Sequence, residues 1–308
     1  PCRSLHACSA CSSFSRWELR RARWDRSPRW LLTKPRGERP RNEVIRRPRS
    51  EFAAKSRTSP AKEPTLSSGS TRTGFPATSG GGWRRGDKAN VALQPAAFAD
   101  RGFAFVSVNY RLHPEADFRG QGADIARAVR HVVDHAAVAG IDPERIYLMG
   151  HSAGAHLAAL VATDEAYLRA EGLPLTTIKG VVLLDGAGYD IATQMQTVSR
   201  RTTESVYATV FGTDEAALRE ASPLHHVAAG KGIAPFLILP IADRPDSGAQ
   251  SDRLAEKLRE AGTPATVLRC EGETHGSINQ RFGTEGQRAS VETFRFLEVR
   301  QRELDAAA

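Results

Sequence analysis

Apolar residues along the chain cluster in short runs only after about residue 100, and they alternate between two spacings. Residues 103–109 form a short apolar, β-branched run after Gly102, the length of a buried strand. Residues 123–138 then place Ile125, Val129, Val132 and Ala136 on one helical face, with Gly140 as a stop. Further strands are predicted at 145–149, 178–184, 235–239 and 265–269, with helices over 153–162 and 291–299. A helix carrying Leu254 and Leu258 is predicted between the last two strands, with Ser247 and Gln250 as its capping box. Apolar strands alternating with amphipathic helices predict an α/β domain, a mainly parallel sheet covered on both faces. Residues 187–219 break this rhythm and are expected to cap the strand ends.

Residues 1–78 lack such patterning. They carry 18 basic and 6 acidic residues, a net of +12, whereas residues 79–308 have a net of −4. The formal charge of +8 therefore describes the first quarter of the chain. High charge with little apolar material predicts a basic low-complexity segment without a core of its own, either disordered or foreign to the domain. Trp17, Trp24 and Trp30 among the arginines suit a nucleic-acid contact less well than a solvated tail, and no nucleic-acid partner is expected. Cys8 and Cys11 have a zinc-like spacing but lack a second ligand pair, so no metal is expected. Neither a secretory h-region nor an apolar run of membrane-spanning length is present, and the cysteine usage leans towards a cytoplasmic protein.

The chemistry lies in Gly150-His-Ser-Ala-Gly154, which follows a predicted strand and opens a predicted helix. This Gly-x-Ser-x-Gly turn exposes a nucleophilic Ser152 at the strand end. A serine nucleophile needs a histidine base and an orienting carboxylate, which follow in the order acid, then histidine. His275, just past the last strand, is the candidate base. His225 and His226 lie in a connecting segment, His156 reads as packed, and His151 as structural. Asp243, just past the 235–239 strand, is the preferred acid and Asp246 the alternative; Asp185, ending the 178–184 strand, is a third choice.

Residues 79–300 resemble the α/β-hydrolase carboxylesterases close to hormone-sensitive-lipase-like esterases and arylformamidases. The resemblance rests on Gly80-Gly-Gly-Trp83, Val108-Asn-Tyr-Arg-Leu112, Gly150-His-Ser-Ala-Gly154, Gln250-Ser251 with Leu254 to Leu258, and Thr274-His275. It implies an acyl-enzyme esterase acting on a small ester without a cofactor. It also implies an oxyanion hole from the N–H groups of Gly81, Gly82 and Ala153. An aryl formamide or sugar acetate is the alternative substrate, and a catalytically impaired binding protein the alternative of another class. Ser79 stands where the family has histidine. Aligning the Gln250–Leu258 helix puts the family's acid at Asp243, while counting from the preceding strand falls on Arg244. Upstream of Ser79 the resemblance stops, and Pro76 argues against the central strand that the family carries there. The expectation is a hydrolase domain at 79–308, its N-terminal strands missing or replaced, joined to a wrong-frame or mis-started segment.

Overall fold

The computed structural model describes the strand at 72–78 and residues 81–307. The expectations for residues 1–71, and for Ser79 and Gly80, lie outside these described residues.

Six strands form one sheet: β1 (Arg72–Thr78), β2 (Phe103–Val108), β3 (Ile141–His151), β4 (Ile178–Leu184), β5 (Phe236–Leu239) and β6 (Ala265–Val267). Their order is β2-β1-β3-β4-β5-β6, with every pair parallel. Four longer helices cover it: α1 (Phe118–Asp134), α2 (Ala153–Thr163), α3 (Pro245–Glu260) and α4 (Arg288–Ala307). The expected parallel α/β architecture is therefore present.

The expectation of a missing central strand is corrected. Residues 72–78 fill that place, between β2 and β3, and extend the sheet seven residues upstream of Ser79. Pro76 is accommodated because Phe75 and Pro76 register only with β2, opposite Phe105 and Val106. The β1–β3 pairing passes from Gly74–Ile146 to Ala77–Met149 without them. A proline lacks a donor, so this interruption is where the ladder loses least.

Alternation along the strands divides the core in two. Ile146, Leu148, Val181, Leu183, Phe236 and Ile238 face α1, α2 and α3. Tyr147, Met149, Val182, Leu184, Leu237 and Leu239 face the other way, towards Phe98, Phe282 and the α4 residues Phe294 and Leu297. Each such side chain, fully buried, contributes about 1.5–3 kcal/mol of transfer free energy. Every residue of α2 is buried, which explains its apolar composition on all sides. Helix α1 starts at Phe118 because the Asp117 carboxylate accepts the Gly120 N–H, a cap the apolar spacing alone did not reveal. Cys270 is a buried free thiol.

Between β4 and β5, residues 191–226 form a series of short helices. Their Tyr207 and Phe211 pack edge-on against Trp83, with ring centroids 5.7 and 4.8 Å away. Trp83 also donates its indole N–H to His156 Nδ1 at 3.1 Å, and the Nε2–H of His156 donates to the Ala221 carbonyl at 2.7 Å. These two bonds satisfy a neutral imidazole on α2, fully enclosed, and tie the 191–226 segment and the Trp83 loop to the core.

Burial pushes His156 down from 6.5 to about 4. The unfolded chain binds a proton at this site between those values and the folded chain does not. Folding stability is accordingly lost as pH falls from about 6.5 to about 4, by roughly 3 kcal/mol from this group. Urea unfolding at pH 7 and pH 5 should show about 2 kcal/mol of this loss, and His156→Gln should flatten it while lowering stability at pH 7.

Candidate active site

The turn from β3 into α2 places Ser152 at φ 55°, a conformation that side chains other than glycine rarely adopt. Gly150 makes the turn possible, since a Cβ there would lie 2.2 Å from the Gly154 carbonyl oxygen. The turn is pinned to the neighbouring strand by the Ser152 N–H, which donates to the Leu184 carbonyl at 3.0 Å. Ala153 opens α2, and its N–H has no acceptor within the helix.

His275 lies in the loop after β6. Its Nε2 is 2.9 Å from Ser152 Oγ, positioned to accept the hydroxyl proton. Its backbone is held from the elbow, where His151 Nε2–H donates to the His275 carbonyl at 2.7 Å. Burial, reinforced by the adjacent His275 ring, pushes His151 down to about 4, so it serves as a neutral donor.

The carboxylate beside His275 is Asp185, which corrects the preference for Asp243 and for Asp246. His275 Nδ1 lies 2.6 Å from Asp185 Oδ2. Asp243 is exposed and has no hydrogen bond or ion pair among the described residues. Asp246 contacts Arg244 and Gln194 instead. The reason lies in the strand ends. Beyond β5 the pairing continues through a bridge from Ile241 to Cys270, and the Ala242 N–H bonds the Cys270 carbonyl. This carries Asp243 past the site in an outer turn. Asp185 instead follows Leu184 directly, and Leu184 is the partner of His151 across β3 and β4. Its φ of 41° turns the chain sharply at the point where β4 ends.

Asp185 is enclosed, and its carboxylate is saturated with donors. Oδ1 accepts from the Ile241 N–H at 3.2 Å and from Ser247 Oγ at 2.8 Å. Oδ2 accepts from His275 and from Arg244 Nη1 at 2.7 Å. Burial by itself would raise the carboxyl. The bond from His275 and the charge and bond of Arg244 outweigh it and hold Asp185 down to about 2. Ser247 was expected to cap α3, but the helix begins at Pro245 without a side-chain cap, and Ser247 is used to hold Asp185. Gln250 likewise brackets Asp190, accepting its N–H and donating to its carbonyl. Arg244 and Ser247 are therefore site residues that no catalytic motif announced.

The glycine loop turns through three positive φ angles at Gly81, Gly82 and Trp83 (131°, 60° and 60°). A Cβ at Gly81 would fall 2.0 Å from the Arg85 carbonyl oxygen. The Trp83 carbonyl accepts from His113 N–H and Gln121 Nε2, which seats the loop on the start of α1. Gly81, Gly82, Arg84, Arg85 and Val206 line a cavity of about 300 Å³. Val206 is the lining residue that the 187–219 segment contributes to this cavity. His225 and His226 lie in the expected connecting segment, where His226 Nε2 bonds the Glu220 carbonyl. Among the described residues no group of three or more His, Cys, Asp or Glu is arranged to hold a metal ion, and no helix is long and apolar enough to cross a membrane.

Residues 77–258 match the BD-FAE family. The chain belongs to this family of α/β-hydrolase esterases. Its relatives include an isoprenylcysteine alpha-carbonyl methylesterase of Arabidopsis thaliana, 28% identical over 215 residues that cover 65% of this chain and 49% of that protein. A kynurenine formamidase of Danio rerio is 26% identical over 208 residues, covering 66% of this chain and 65% of the relative. The chain spans about half the length of the methylesterases it matches. Among solved structures, esterase B from Lactobacillus rhamnosis superposes with a TM-score of 0.66 at 22% identity, covering 77% of this chain and 80% of that one. The butyrate-bound esterase 2 of Thermogutta terrifontis gives a TM-score of 0.59 at 25% identity, covering 80% and 88%. The BD-FAE match begins at residue 77, so it reaches only the last two residues of β1.

Gly150→Ala tests the elbow. The added methyl meets backbone atoms that cannot move independently of α2, so the variant should lose roughly 2–4 kcal/mol of stability or fail to accumulate as folded protein. Thermal unfolding measures it; an unchanged midpoint would contradict the close approach.

Proposed function

We propose that the chain is a serine carboxylic ester hydrolase in which Ser152, His275 and Asp185 form the catalytic triad. The observation that carries this reading is the continuous chain from Ser152 Oγ through both ring nitrogens of His275 to Asp185 Oδ2, at 2.9 and 2.6 Å. Ser152 attacks the ester carbonyl while His275 Nε2 takes its proton. Asp185, ionised well below neutral pH, keeps Nδ1 protonated and stabilises the imidazolium that forms. The N–H groups of Ala153, Gly81 and Gly82 receive the oxyanion. The imidazolium then returns its proton to the leaving alcohol, and water activated by the same histidine releases the acid from Ser152. No cofactor enters this sequence.

The substrate is a small ester. The methylesterase relatives favour a compact leaving group. A second reading, hydrolysis of an aryl formamide, is favoured by the kynurenine formamidase match, which covers similar shares of both chains. The same triad serves both, because both reactions pass through a tetrahedral intermediate at a carbonyl. A panel of p-nitrophenyl esters, an acetylated sugar and an aryl formamide separates them by kcat/KM.

A fluorophosphonate probe should label Ser152, and Ser152→Ala should abolish both labelling and turnover. Folded protein that neither reacts nor turns over would mark an impaired hydrolase-like protein instead. Asp185→Asn should lower kcat by roughly 10³–10⁴-fold, whereas Asp243→Asn should stay within about threefold of wild type. The reverse ranking would return the acid role to Asp243.

A further inference from the structure

Arg244, at the entry to α3, stands inside the array that the esterase reading uses. Its Nη1 is 2.7 Å from Asp185 Oδ2 and 2.8 Å from His275 Nδ1, and Nδ1 is 2.6 Å from the same oxygen. Three heavy atoms thus form a closed triangle with one acceptor. When Nδ1 carries its proton, two donors face each other across 2.8 Å and compete for a single carboxylate oxygen. When Nδ1 is bare, it accepts from Arg244, and its lone pair then opposes Oδ2. Arg244 is kept in place from behind, where Nη2 lies 3.3 Å from Asp246 Oδ2.

The groups that face His275 come from three directions. Asp185 approaches from the end of β4, Arg244 from the β5–α3 turn with Asp246 behind it, and His151 from the elbow, its ring centroid 4.8 Å away. His151 is held neutral by burial, so the guanidinium is the permanent cation in contact with the ring. During acylation the ring becomes a cation itself. A second positive charge at hydrogen-bond distance opposes that change, and it occupies part of the carboxylate that favours it.

We propose that Arg244 is a positioning residue that moderates the Asp185–His275 pair, shifting the esterase's working range towards acid at a cost in maximal rate. The inference rests on the triad reading given above. Removing the charge strengthens the hold of Asp185 on the protonated ring, so the base stays occupied by a proton to higher pH. It also gives the developing imidazolium the full carboxylate. Both effects share one origin and are read from one experiment.

The test is the pH profile of kcat/KM on p-nitrophenyl acetate for wild type, Arg244→Gln and Arg244→Lys. Arg244→Gln, which keeps an N–H donor without the charge, should raise the acidic midpoint by about one pH unit and the plateau several-fold. Arg244→Lys, which keeps the charge, should leave the midpoint within a few tenths of a unit of wild type. A lower plateau with an unmoved midpoint in Arg244→Gln would mean that Arg244 only holds the loop together, and would overturn the proposal. If Arg244→Gln does not fold, Asp246→Asn provides the opposite arm. It frees the guanidinium of its second carboxylate and should move the midpoint down; a rise would overturn the proposal. A wild type without Ser152-dependent hydrolysis would end the triad reading and this one together. A Ser152-dependent wild type whose midpoint ignores the charge at residue 244 removes the role of Arg244 alone.

Discussion

The hydrogen bond from the Ser152 N–H to the Leu184 carbonyl, 3.0 Å long, is the constraint on which the site depends. It fixes the register of β3 against β4 at the point where both strands end. Their last residues, His151 and Leu184, are partners across the ladder. The next residue on each strand is Ser152 on one side and Asp185 on the other. Both adopt positive φ, 55° at Ser152 and 41° at Asp185, so both strands turn sharply at the same level of the sheet. Such conformations cost of order 1–3 kcal/mol each and persist only where surrounding packing imposes them. Here the buried α2 helix and the two apolar layers of the sheet supply that packing.

Electrostatics follow from this geometry. A carboxylate enclosed at a sheet end is unfavourable unless its oxygens are occupied, and Asp185 meets the requirement with a backbone amide, a hydroxyl, an imidazole and a guanidinium. Three of these donors, Ile241, Arg244 and Ser247, come from the single stretch that leads from β5 into α3. That stretch therefore clamps the Asp185 carboxylate. His275 is held at its ring by Asp185, which accepts from Nδ1, and at its backbone by His151, which donates to the His275 carbonyl. His275 so owes its position to β4 and to the elbow as much as to its own loop after β6.

Much of this was legible in the sequence. The strand–helix rhythm, the Gly-x-Ser-x-Gly turn and the single histidine past the last strand are local patterns, and local patterns survive folding. Asp185 was not legible as the first choice of partner for His275 because two aspartates past β5 compete with one past β4, and only the inter-strand register separates them. Asp243 fails because the chain continues pairing through Ile241, a bridge that a break at Pro240 conceals. Ser247 and Gln250 read as a helix cap because serine and glutamine at that spacing have that local use. In the fold both are recruited by β4 and the turn after it. Pro76 misled for a related reason: a proline argues against a central strand in general, and here the ladder on one side is interrupted where it falls.

The central claim is that Asp185 is the carboxylate partner of His275. Proton NMR of the wild type in water tests it through the deshielded Nδ1–H resonance of a histidine bonded to a carboxylate. That resonance should be present in wild type and in Asp243→Asn, and absent in Asp185→Asn. Its survival in Asp185→Asn with loss in Asp243→Asn would contradict the account.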